Sequence, residues 1–206
     1  MKNIKALLLF AIISLSLNFV FAASPLSGTK FYSVYLSQDI VQLAESQGFL
    51  DGRIAVYLID ENNDIGVKVA IINALNWSEK ENVSVDTYKM FMGRKYGKNY
   101  NKLDFSEMSG DELLCLGYMV LLDQKRTLAE AMPILEEAQL KNKNSFTSNI
   151  IYAMALAQSA LNASDECQAW RVCNDTRING SLVQDMDVSA SAILFEAVDT
   201  YKEACD

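Results

Sequence analysis

The 206-residue chain contains no histidine. That absence removes Ser-His-Asp and Cys-His nucleophile systems, histidine-ligated zinc and the commonest general base. Proline is nearly missing too, with only Pro25 and Pro133, so few positions forbid a helix. No Gly-x-Gly-x-x-Gly, no Walker-type phosphate loop and no Cys-x-x-Cys occurs. Dinucleotide binding, phosphate cradling and thioredoxin-like redox chemistry therefore lack support, and no cofactor is expected. Positive charge is scarce: 18 Lys and Arg face 26 Asp and Glu, a formal net charge of -8. This argues against general affinity for nucleic acid or anionic membrane. Alternation of apolar and polar residues, the mark of strands, is also rare.

Long apolar runs are missing except at the N-terminus. Lys2 and Lys5 precede a run from Ala6 to Phe21, broken by Ser14, Ser16 and Asn18 and followed by the small pair Ala22-Ala23. This is the pattern of a secretory signal peptide over 1–23. The run is shorter than the roughly 20 residues a span needs and no basic cluster follows, so no membrane span is expected after cleavage. Loss of Lys2 and Lys5 leaves residues 24–206 with a formal charge of about -10. Half of the residues are hydrophobic, enough for one domain with a sizeable core. The expected compartment is secreted or, in a bacterium, periplasmic.

What remains is helical in pattern. Residues 38–50 and 64–77 space their apolar side chains at helical intervals, the second with Ile65, Val69, Ile72 and Leu75 on one face; a further helix is expected over 85–92. Residues 52–60 form a short apolar run open to either strand or helix. Ser109-x-x-Glu112 and Thr127-x-x-Glu130 are capping boxes opening helices over 110–123 and 128–141, with Pro133 implying a kink or a start nearer Ala131. Helices over 147–161, 165–177 and 185–203 follow, joined by short polar links. The expected fold is all-α, stacked antiparallel helical hairpins. It comprises an N-terminal helical part (24–93), a basic connection (94–108) and a hairpin stack (109–206).

Within that stack, Leu113, Leu116, Gly117 and Val120 fall at first-helix positions of a helical-repeat unit, and Ala131, Leu135 and Ala138 form a small-large-small triplet in its second helix. Asn149, Tyr152, Ala153 and Leu156 repeat the first-helix spacing, after which the pattern fades at Cys167, Arg171 and Asn174. Residues 113–178 thus resemble tetratricopeptide and Sel1-like repeats. The intra-unit loop is two residues too long, Val120 stands for the aromatic and the closing proline is missing. The resemblance implies binding of other proteins on a concave surface.

The four cysteines are Cys115, Cys167, Cys173 and Cys205. An exported chain can pair them. Cys115, within Leu113-Leu114-Cys115-Leu116, suits a buried thiol as well as a bridge. Helical rise places Cys167 and Cys173 about 9 Å apart, too far to join. A hairpin turning near Gly180 brings Cys167 rather than Cys173 toward Cys205, so Cys167–Cys205 is the expected disulfide.

Arg94, Lys95, Lys98 and Lys102 cluster around Tyr96 and Tyr100. Basic charge with aromatic faces suits an anionic partner, a glycan or a nucleic-acid strand; a solvated linker containing Gly93 and Gly97 accounts for the same residues. Asp60-Glu61-Asn62-Asn63-Asp64 resembles the opening of a calcium loop, but its glycine is one position late and Ile71 stands where a bidentate Glu is needed. The alternative is a polar connection in which Asn63 or Asp64 caps the next helix. Glu136-Glu137 and Asp185-Met186-Asp187 are visible acidic pairs, but neighbours this close point apart on a helix. Asn-x-Ser/Thr triplets begin at Asn76, Asn82, Asn162, Asn174 and Asn179. They are glycan acceptors in a eukaryotic secretory pathway, or helix ends where Asn closes one helix and Ser or Thr caps the next.

The functional expectation is a non-catalytic protein-binding module working outside the cytoplasm, with 94–102 as the contact. Two alternatives are an inhibitor or immunity-type protein against a secreted enzyme, and a hydrolase using carboxylates from separate helices.

Overall fold

The computed structural model describes Pro25, residues 28–76 and residues 84–206. The signal-peptide reading of 1–23 and the triplet at Asn82 lie outside the described residues, as does Ser78 of the Asn76 triplet. Nine α-helices are present among the described residues: α1 (Asp39–Gln47), α2 (Gly52–Ile59), α3 (Ile65–Asn76), α4 (Ser84–Tyr96), α5 (Gly110–Leu122), α6 (Leu128–Lys141), α7 (Phe146–Asn162), α8 (Glu166–Ile178) and α9 (Val188–Asp199). Short 3-10 segments lie at Phe31–Tyr35, Tyr100–Lys102 and Lys202–Cys205. No strand forms among the described residues; one parallel bridge joins Ser145 and Val183.

The fold is all-α, with neighbouring helices packed in pairs. The α5–α6 and α7–α8 pairs have the most extensive contacts, and α6 joins the two by packing on α7. Gly117 explains the closeness of the first pair. A β-carbon built on it would stand 2.8 Å from Leu135 Cδ2 and 3.2 Å from the Leu135 backbone nitrogen. A small residue on one helix thus receives a large one from the next, a packing compatible with helical repeats.

The centre of the molecule is α3. Gly66 through Leu75 are all buried, because α1, α2, α5, α7 and the first 3-10 segment surround the helix. The single apolar face expected from Ile65, Val69, Ile72 and Leu75 is therefore too narrow a description: a helix enclosed on all sides needs no polar face. Two polar side chains inside it, Lys68 and Asn73, tie down other segments. Asn73 accepts from the Tyr32 amide (3.1 Å) and donates to the Thr29 carbonyl (3.0 Å) and the Tyr118 hydroxyl (3.1 Å), anchoring the N-terminal segment to the core.

Several local expectations resolve through capping. Residues 52–59 are helix, not strand, because Asp51 accepts from the Arg53 and Ile54 amides and starts the turn. Asp64 accepts from Gly66 (2.7 Å) and Val67 (3.1 Å), so it caps α3. The Ser109–Glu112 box is complete, whereas at Thr127 the hydroxyl alone is engaged, accepting from the Glu130 amide. Helix α6 starts at Leu128, not near Ala131, and runs through the exposed Pro133. Ser164 does not cap α8: it takes a positive φ of 60° in the turn, and Asp165 is the cap.

The C-terminus is latched. Cys167 and Cys205 form a disulfide that joins the start of α8 to the final 3-10 segment, as the hairpin geometry requires. Beside it, Asp199 accepts from Arg177 (2.7 Å) and from Trp170 Nε1 (3.1 Å), and the Arg177 guanidinium stacks over Phe195 at 4.1 Å. Cys115 and Cys173 are buried free thiols. Burial pushes both up to about 12, so neither is a ready nucleophile.

Candidate interaction surface

The basic-aromatic segment begins inside a helix. Arg94, Lys95 and Tyr96 form the last turn of α4, which extends past the expected end at Met92. Gly93 permits this. The chain reverses at Gly97, where φ is 62°, and the Lys98 amide donates back to the Gly93 carbonyl at 2.8 Å. A β-carbon on Gly93 would stand 2.8 Å from the Lys98 carbonyl oxygen and 3.2 Å from the Tyr100 nitrogen. Glycine at 93 and at 97 therefore folds 98–102 against the end of α4, where Asn99 caps the short turn Tyr100–Lys102 by accepting from the Asn101 amide.

This fold-back sorts the six residues into two groups. Lys95 and Tyr96 turn toward Glu112, a carboxylate with 1% of its side chain exposed. Lys95 Nζ donates to Glu112 Oε1 at 2.6 Å and to Glu61 at 3.2 Å; the Tyr96 hydroxyl donates to Glu112 Oε2 at 2.6 Å. Glu112 also accepts from the Ser109 amide at 2.8 Å, so one buried carboxylate caps α5 and receives the end of α4. Burial alone would lower the Lys95 pKa, but the hydrogen bonds it donates to Glu112 and Glu61 outweigh it and hold the group above its ordinary value. Burial, followed by the Glu112 interaction, raises Tyr96. Lys98 pairs with Glu107.

Arg94, Tyr100 and Lys102 face outward. Arg94 lies over the Phe91 ring at 5.2 Å. With Lys98 and Asn99 it edges a hollow of about 250 Å³ whose apolar sides are Met90 and Tyr100, 45% and 39% exposed. Met90 was not legible as part of this set. The available signal was its position four residues before Arg94 on a helix, which places both on one face.

A second hollow, of about 460 Å³, lies where the starts of α3 and α5 meet residues 141–145 and the segment before α9. Its two carboxylates are engaged by neighbouring groups. Lys68, 1% exposed, donates to Asp111 at 2.9 Å, and Asn142 donates to Asp111 (2.9 Å) and Ser148 (3.2 Å). Asp185 accepts from the Thr147 amide (2.7 Å) and hydroxyl (2.8 Å), bracing the start of α7. The other acidic residues are similarly placed: Asp187 caps α9, and Glu137 lies 3.7 Å from Lys141 while Glu136 faces solvent. Among the described residues, no cluster of three or more acidic or cysteine side chains is arranged to hold a metal ion.

The Asn triplets occupy different settings. Asn162 ends α7 and is exposed, accepting from Gln158; Asn174 is half-buried within α8; Asn179 closes α8 and accepts from the Ser181 amide (3.1 Å) and hydroxyl (2.6 Å). Asn76 is the last residue of α3.

No helix of the described residues is long and apolar enough to cross a membrane. Comparison with protein-family models, with curated proteins and with solved structures finds no match to this chain.

Proposed function

We propose that this chain is an exported, non-catalytic module that binds another protein through the outer face of α4 and its fold-back. The observation that carries this reading is the hollow where Met90, Arg94 and Tyr100 meet. Met, Tyr and Arg are the residue types enriched where protein interfaces are most buried, and Tyr and Arg dominate their energetics. Basic residues gathered there stand out in a chain of net charge -8. The Cys167–Cys205 disulfide and the export signal support action outside the cytoplasm. The repeat-like packing of Gly117 against Leu135 supports the general class, since helical-hairpin stacks commonly serve as binding scaffolds.

The test uses the mature protein as bait in the fluid of its native compartment, beside a variant carrying Met90→Ala, Arg94→Ala and Tyr100→Ala. The expected result is a partner retained by the wild type and lost from the variant. Equal recovery on both would overturn the reading. If the partner is an enzyme, assay of its activity with and without the module decides whether binding inhibits it, which is the inhibitor or immunity form of the same proposal.

A further inference from the structure

We infer that the partner presents a carboxylate to Arg94 beside an apolar side chain seated between Met90 and Tyr100. This rests on the binding reading above and specifies the chemistry of the partner's contact. Three of the segment's cations and aromatics are already used: Lys95 and Tyr96 serve Glu112, and Lys98 serves Glu107. Arg94 differs. Its guanidinium carbon lies 5.2 Å from the centre of the Phe91 ring, and its side chain forms no hydrogen bond or ion pair within the described residues. An exposed guanidinium whose five N–H donors are unused within the described residues is a group that takes a carboxylate bidentately.

The adjoining surface selects against other anions. A nucleic-acid strand needs several cations along a track, whereas among the basic residues of 94–102 only Arg94 and the exposed Lys102 have side chains without a partner, in an acidic chain. Met90 and Tyr100 add an apolar seat beside the single charge. A protein segment with an Asp or Glu next to a large apolar residue supplies both halves.

The test is selection of a displayed library of short random peptides on the immobilised mature protein. Peptides pairing an acidic residue with an adjacent aromatic or large aliphatic one are expected to enrich. For one enriched peptide, Arg94→Ala and Tyr100→Ala should each weaken binding by about tenfold or more, and Arg94→Lys by about fivefold, because an ammonium cannot form the bidentate pair. Lys102→Ala should change it by less than about twofold. Replacing the peptide's acid with its amide should match the Arg94→Ala loss. Enrichment without acidic residues, no enrichment at all, or indifference to Arg94→Ala overturns the inference. The two proposals separate in the bait experiment: a partner lost on Tyr100→Ala but held by Arg94→Ala leaves protein binding standing and removes the carboxylate contact.

Discussion

Lys95 Nζ lies 2.6 Å from Oε1 of Glu112, joining the end of α4 to the start of α5 through a carboxylate that is 1% exposed. The pair couples two functions of one residue. Glu112 closes the capping box of α5 and holds the turn that carries Tyr96 and, beyond it, the fold-back bearing Tyr100. Removing Glu112 takes the acceptor from the Ser109 amide and the shortest contact from Lys95 Nζ and the Tyr96 hydroxyl, which keep only longer ones: Glu61 at 3.2 Å and the Ile59 carbonyl at 3.3 Å for Lys95, and the Glu107 carbonyl at 3.3 Å for Tyr96. Glu112→Ala is expected to cost about 3–5 kcal/mol, and Glu112→Gln, which keeps the shape but not the charge, about 1–3 kcal/mol. Urea unfolding with an unchanged m-value is the measurement. A cost below about 0.5 kcal/mol for Glu112→Ala would mean that water replaces the carboxylate without loss.

The Cys167–Cys205 bridge spans 38 residues of sequence. Closing a loop of that size in the unfolded chain is worth at most about 4 kcal/mol, so Cys205→Ala should cost about 2–4 kcal/mol. Reductant should destabilise the wild type by the same amount and leave Cys205→Ala unchanged. The comparison excludes Cys115 and Cys173 as the reductant's target, since both remain in the variant as buried thiols.

Most of the helical frame could be read from the chain itself because its signals are local. The Ser109 box, the Thr127 and Asp64 caps and the hairpin bringing Cys167 to Cys205 all depend on residues close in sequence or on one turn. The segment 52–59 stayed ambiguous because eight apolar-rich residues suit either structure until Asp51 is seen to cap them. The extension of α4 through Tyr96 was hidden by Gly93 and Gly97, which suggest a linker by composition. In the fold, Gly93 is the point where backbone approaches backbone. Least legible were the ion pairs with one buried partner. Lys68 meets Asp111 across 43 residues and Lys95 meets Glu112 across 17, separations that no periodicity encodes. The same reason hid the division of the basic cluster into used and outward-facing members.

Gly117 provides a packing test. A β-carbon there would stand 2.8 Å from Leu135 Cδ2 and Cγ and 3.2 Å from its backbone nitrogen. Because backbone is among the contacts, side-chain rearrangement alone does not relieve the overlap, and Gly117→Ala is expected to destabilise by about 1–3 kcal/mol despite alanine's better helix propensity. Gly117→Ala combined with Leu135→Ala should recover part of the overlap cost relative to the sum of the single variants. Strict additivity in denaturant unfolding would show that the two helices do not meet at this pair.

The pair of buried Lys68 with half-buried Asp111 should be costly to break and cheaper to replace. Lys68 is 1% exposed and Asp111 also receives Asn142, so Asp111→Ala leaves an ammonium and an amide donor without their acceptor inside the fold. A cost of about 3–5 kcal/mol is expected. Lys68→Met removes the charge while filling the same volume, and in the double variant with Asp111→Asn the penalty should fall by at least about 1 kcal/mol relative to Asp111→Ala. A double variant as unstable as Asp111→Ala would show that shape, not the unpaired charge, sets the cost.

Alkali should unfold the protein earlier than its charge alone implies. Burial raises Cys115 and Cys173 from an ordinary 9.0 to about 12, and raises the fully buried Tyr88 above its ordinary 10.0 as well. A group with a raised pKa in the fold gives its full stability below its unfolded pKa, because both states are then protonated. As pH climbs past 9 the unfolded chain releases thiol protons that the fold retains, so stability falls until about 12. The slope for each thiol is about 1.4 kcal/mol per pH unit in that window. Chemical unfolding measured from neutrality to about pH 11 should show a plateau and then a decline beginning near 9. Cys115→Ala and Cys173→Ala should each flatten the first part of that decline, before tyrosine ionisation sets in, even if they lower the plateau itself. An unchanged slope in both variants would show that the thiols ionise in the folded protein and are reached by water.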